Sequence, residues 1–182
     1  MKLTDELKTA ILDMPPKEKD KLLIRLIRKD KLLVEQLQFQ LLGSPAEQLE
    51  MRQTIEERII KFARAGYSWT PGLLMMEMRS FSGDITRYAK ITKDALGEVV
   101  LSVLLLHHYL KENRAMLEGE AYRADKFAGY VVSKLKSTLK KATKLHPDLH
   151  LEFSDELTDL IRYLRVYAPT AQLMTPDLSW DT

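Results

Sequence analysis

The run Val99–Leu110, VVLSVLLLHHYL, constrains this chain more than any other stretch. It contains neither glycine nor proline, and on a helix of 3.6 residues per turn its apolar side chains point in nearly every direction. A helix that is apolar all round lies in a membrane or in the middle of other helices. This run carries Ser102, His107 and His108 and falls well short of the ~20 apolar residues that a span needs. Residues 92–118 are therefore expected to form the central helix of an all-α domain, with Leu101, Val103, Leu104 and Leu105 in its core. No membrane association is expected.

The flanking sequence is punctuated by helix signals. Thr4 precedes Asp5 and Glu6, an N-cap followed by acids in the dipole-favoured first turn. Leu7, Ile11 and Leu12 form the apolar side of that helix, which Met14-Pro15-Pro16 ends. The motif KDKLL occurs at Lys19–Leu23 and again at Lys29–Leu33, a spacing too short for a solenoid repeat. In one continuous helix Asp30 would fall on the apolar face of Leu22, Leu26, Leu33 and Leu37, at the cost of a buried carboxylate. Two helices, 17–29 and 31–42 with Asp30 as the second N-cap, avoid that cost.

Ser44-Pro45-Ala46-Glu47 is a capping box with proline at the first helical position, opening a helix to about Arg64. Leu49, Ile55, Ile59, Ile60 and Phe62 are expected to face inward. Thr70-Pro71 opens the next helix, which Ser82-Gly83-Asp84 is expected to break. Beyond Gly119, a helix over 120–145 carries Phe127, Val131, Leu135, Leu139 and Ala142 as one stripe. Ser154 caps a last helix, 155–167, with Leu157, Ile161 and Leu164 inward. No stretch alternates apolar and polar residues as a strand does. The expected fold is an irregular multi-helix bundle of about eight helices around the central apolar helix. It would form one domain over 1–168 with an irregular tail over 169–182. Superhelical helix pairs are the alternative at the N-terminal end.

Catalytic and metal signatures are scarce. The absence of cysteine removes disulfides, thiolate ligands and Cys nucleophiles. With a start, MKLTDELK, that lacks a signal-peptide core, it leads to a cytoplasmic expectation. Phosphate-loop, dinucleotide and metalloprotease motifs are missing. His107 and His108 leave a helix ~100° apart and cannot easily clasp one ion. His107 shares its face with Leu96, Val100 and Val103, the address of a buried structural histidine. His108 has Glu112 one turn on, and these two are the catalytic candidates, as the orienting half of a general base. A satisfied boundary pair is the commoner meaning of that spacing. His146 and His150 are four apart with Asp148 and Glu152 nearby, but Pro147 removes the helical geometry, so a solvated loop is expected. No cofactor and no metal is expected.

Leu73–Met78, LLMMEM, suits either an adaptable interface or irregular core gaps, the latter being the commoner use of methionine. Tyr67, Trp69 and Phe81 flank it, lining a pocket or closing the end of the bundle.

Net charge is only +2, but its distribution is uneven. Residues 120–146 hold seven Lys/Arg against two acids, and 147–182 hold two Arg against seven acids. Arg123, Lys126, Tyr130, Lys134, Lys140, Lys141 and Lys144 are the candidates for binding an anionic partner. Nucleic acid would use the lysines for phosphate and the ring for stacking. The competing expectation is that Asp155 and Asp159 fold back to neutralise this face. Helices 2 and 3 also carry more apolar positions than one narrow face holds: Ile24 and Leu42 besides Leu22, Leu26 and Leu37, with Phe39 off-axis. Such excess predicts a homodimer. The leading expectation is a protein–protein interaction or scaffolding module without catalysis. The alternatives are nucleic-acid binding through helix 120–145, and an enzyme or ligand-binding bundle with His108 and Glu112 near its site.

Overall fold

A computed structural model describes residues 3–66, 70–119, 125–167 and 180, and among them the protein is all-α, without a strand. The helices are α1 (Asp5–Leu12), α2 (Pro16–Ile27), α3 (Lys31–Leu42), α4 (Pro45–Ala65), α5 (Pro71–Thr92), α6 (Ala95–Glu112), α7 (Arg114–Gly119), α8 (Asp125–Ala142) and α9 (Ser154–Tyr167). A 3-10 turn over Pro147–Glu152 precedes α9. The chain divides into two compact units, Met1–Gly43 and Ser44–Thr182.

In the second unit α6 is the axis, and α4, α5, α8 and α9 all pack on it. Val99, Leu101, Val103, Leu105, Leu106, Tyr109 and Leu110 are buried on every side of it, as an apolar-all-round helix requires. Leu104 departs from expectation: it is half-buried at the edge of the core. The α8 stripe of Phe127, Val131, Leu135 and Ala142 and the α9 residues Leu157, Ile161 and Leu164 complete the packing, with Leu139 half-buried. On α4 the buried residues are Ile55, Ile59 and Ala63, whereas Leu49 and Phe62 are exposed.

The boundaries around the central helix differ from the sequence expectation. Ser82-Gly83-Asp84 does not break the chain, and α5 runs through it to Thr92. Gly83 lies on the exposed face, where it costs the helix ~1 kcal/mol relative to Ala. The buried series Leu74, Met78, Phe81, Ile85 and Tyr88 continues without interruption and outweighs that cost. The break comes at Lys93, left-handed at φ 60°, after which Asp94 caps α6 by accepting from the Gly97 amide at 2.8 Å. The central helix therefore spans Ala95–Glu112 rather than 92–118, with Asn113 leading into the short α7.

The first unit follows its caps. Thr4 accepts from the Leu7 amide, and Asp30 from the Leu33 amide at 3.1 Å, so α2 and α3 are separate helices that pack on each other.

Candidate functional site

α1, α2 and α3 contain no buried residue. Every buried apolar side chain of the described residues lies at or beyond Ile55. Leu3, Leu7 and Leu12, then Leu23, Ile24 and Leu26 on α2, and Val34, Leu41 and Leu42 on α3 remain open to solvent, from 37% at Val34 to 82% at Leu42. The unit combines backbone caps and polar ties, such as Lys19 Nζ donating to the Leu12 carbonyl at 2.8 Å, with apolar side chains that are only half-buried, among them Leu22, Leu33 and Leu37. Monomeric proteins rarely leave contiguous apolar patches beyond a few hundred Å². This surface is the leading candidate for a binding role.

A second feature is a cleft of about 260 Å³ between the α6–α7 corner and α9, lined by His107, Leu110, Lys111, Arg114, Asp159, Leu160 and Tyr163. It is smaller than the ~300–1,000 Å³ of ordinary ligand pockets. Arg114 is occupied, paired with Glu118 at 2.6 Å and lying over the Tyr163 ring. Burial holds His107 below the ordinary imidazole range, aided by Lys111 and partly opposed by Glu156 and Asp159. Burial lowers His108 as well, with His107 and Arg64 adding to it against Glu112.

The imidazole–carboxylate pair that the spacing of His108 and Glu112 allows is not formed. His108 Nδ1 is buried without a hydrogen-bond partner, and the Glu112 carboxylate lies 3.8 Å from Arg64 Nε. His146 and His150 also part company. His146 caps the 3-10 turn, while His150 is not in a solvated loop: its Nε2 lies 3.2 Å from the Ala142 carbonyl and its ring packs against Phe153 and Trp180. Among the described residues no three His, Asp or Glu side chains converge as a metal site.

The basic face of α8 is divided. Tyr130 shares a 3.0 Å hydrogen bond with Ser82 and lies under the Arg79 guanidinium. Lys134 is half-buried, and burial lowers its ammonium below the usual range. Lys141 pairs with Glu98 of α6, not with the acids described between Asp148 and Asp159, and Asp159 pairs with Arg162 of its own helix. Lys126, Lys140 and Lys144 are exposed and, among the described residues, make no ion pair. Arg123 lies outside the described residues, as do Tyr67, Trp69 and all of the tail but Trp180. Phe81 is buried, edge-on to Phe62 and tilted against Tyr109. Of the Met-rich run, Met78 is core and Met76 is exposed.

The excess of apolar positions on α2 and α3, Ile24 and Leu42 among them, was legible as surplus surface, but the exposure of Leu41 was not, because burial depends on what packs against a helix. The α6–α9 cleft had no sequence signal, since nothing local brings Asp159 and Tyr163 to His107. Comparisons with protein-family models, with curated proteins and with solved structures find no match.

Proposed function

We propose that this chain is an assembly protein: a helical bundle carrying an N-terminal helical unit that docks onto another protein. One observation carries the reading, namely that residues 3–43 bury no side chain completely while presenting nine large apolar ones to solvent. Apolar area left in water forgoes roughly 25 cal/mol per Å², so a surface of this kind is stabilised by being covered. The composition of α3 supports the same reading, because its mixture of leucines and glutamines resembles the apolar core and uncharged polar rim of protein interfaces rather than a catalytic surface.

The test uses the full chain beside two double variants, Leu23→Glu/Leu26→Glu and Leu41→Glu/Leu42→Glu. All four side chains are exposed, so helicity and the melting of the bundle should persist. The expected result is stoichiometric association with a protein, itself or another, that both variants lose. A wild-type chain that stays unassociated at high concentration, and retains no partner at physiological salt, overturns the reading.

A further inference from the structure

We propose that the partner covering the α1–α3 surface is a second copy of this chain, the two units meeting about a two-fold axis; this rests on the docking reading above. α3 has the sequence of a helix that belongs among others. Leu32, Leu33, Val34, Leu37, Leu41 and Leu42 leave its axis in nearly all directions, yet none of them is buried. α2 covers one side of it. A second α2–α3 pair supplies neighbours for the others, forming the four-helix arrangement that buries apolar helices of this length.

The area fits a symmetric pair. A fully exposed Leu or Ile carries roughly 60–120 Å² of apolar surface, so nine such side chains at the exposures seen offer roughly 300–600 Å². One partner's share of a standard interface is about 800 Å², somewhat over half of it apolar. The supply is of the order that the requirement sets.

Charge favours a second copy over a strongly charged partner. Residues 1–43 hold nine Lys/Arg and seven Asp/Glu, with signs alternating along Lys17-Glu18-Lys19-Asp20-Lys21. α3 bears only Lys31 and Glu35, with Gln36, Gln38 and Gln40 between its apolar residues. A two-fold interface sets each patch against itself, so a one-sign rim would repel. This rim has both signs. It offers an acidic or basic macromolecule no opposing field.

Sedimentation equilibrium of the full chain tests this. The expected particle has twice the 21.1 kDa chain mass, and Leu26→Glu/Leu42→Glu should raise its dissociation constant at least ~100-fold while leaving the melting of α4–α9 in place. The chain has no cysteine, so Gln40→Cys introduces a unique spin label, and a two-fold pair should give one intermolecular distance. A dimer that survives the Glu substitutions overturns the proposal. So does a chain that remains at 21.1 kDa up to several hundred micromolar. If that monomer captures a different protein stoichiometrically and the same variants abolish capture, docking stands and only the second copy falls. If it captures nothing, both fall.

Discussion

Tyr88 Oη donates a 2.6 Å hydrogen bond to Asp94 Oδ2 across the turn joining α5 to α6. The other oxygen of the same carboxylate caps α6 through the Gly97 amide. One side chain thus ties the last turns of α5 to the start of α6. Burial alone would raise the Asp94 carboxyl, but the Gly97 amide, the Tyr88 hydroxyl, Gln48 and Arg52 outweigh it and hold it below the ordinary range. Asp94→Ala removes a cap worth ~0.5–2 kcal/mol and strands a buried hydroxyl at ~1–3 kcal/mol, so urea unfolding should show a loss of about 1.5–5 kcal/mol. Tyr88→Phe should cost less, about 1–2 kcal/mol, because the carboxylate keeps its other partners.

The glycines on either side of this turn should respond with opposite signs. A Cβ on Gly97 would collide with the Asp94 carboxylate and lie 2.9 Å from Tyr88 Oη, so Gly97→Ala should destabilise by about 1–3 kcal/mol. A Cβ on Gly83 meets open space, and Gly83→Ala should stabilise by about 0.5–1 kcal/mol. Lys93, left-handed without being glycine, should likewise gain about 1 kcal/mol as Lys93→Gly. Equal effects at the two glycines would refute the assignment of the break to Lys93-Asp94.

These positions mark where the sequence was legible. Thr4, Asp30, Ser44 and Thr70 each act as the N-caps their local sequence describes, accepting from an amide three residues on. Capping depends on four or five consecutive residues, so it can be read without knowing the fold. The central placement of α6 was legible for a related reason, since only other helices can surround an apolar-all-round segment. Ser82-Gly83-Asp84 misled because its turn chemistry is local, whereas the force that overrides it is the burial of Phe81, Ile85 and Tyr88. Leu104 misled because a helix at the axis still has an outer edge. The candidate docking surface was legible in Ile24 and Leu42, surplus to one narrow face, but not in its extent to Leu3, Leu12 and Leu41.

The axis gives a graded test. Leu105→Ala, at a fully buried site, should cost about 2–5 kcal/mol through cavity formation. Leu104→Ala, one residue earlier and half-buried, should cost less, with a difference of at least ~1 kcal/mol in denaturant midpoint experiments. Reversed costs would mean that α6 is rotated about its axis.

Acid should unfold the bundle in two stages. His107 and His108 are held neutral by burial, whereas the unfolded chain takes up protons on them below about pH 6.5. Where the unfolded state binds more protons, stability falls as pH falls, so the first decline should begin near that value. Asp94 acts lower. Its contribution is complete above an unfolded carboxyl value of about 3.9 and is lost as pH drops through its depressed folded value. Melting temperature against pH should show both limbs. His107→Gln/His108→Gln should flatten the upper one, and Asp94→Asn should reduce the lower one. A double-Gln variant that keeps the decline below pH 6.5 would assign it elsewhere.

The lysines of α8 should separate by partner rather than by charge. Lys141, itself 46% exposed, reaches Glu98, which is only 18% exposed, so Lys141→Glu sets two carboxylates together at a site partly open to solvent and salt. Exposed pairs contribute about 0–1 kcal/mol, and replacing attraction by repulsion beside a mostly buried acid should cost about 1–2 kcal/mol. Lys140→Glu and Lys144→Glu touch no such partner among the described residues and should leave stability within about 0.5 kcal/mol. Raising salt from ~0.1 M to ~1 M shortens the screening length from about 10 Å to 3 Å, so the Lys141 effect should shrink while the other two stay flat. If all three reversals destabilise alike, and salt erases the losses together, the face is coupled to a diffuse acidic field and not to Glu98.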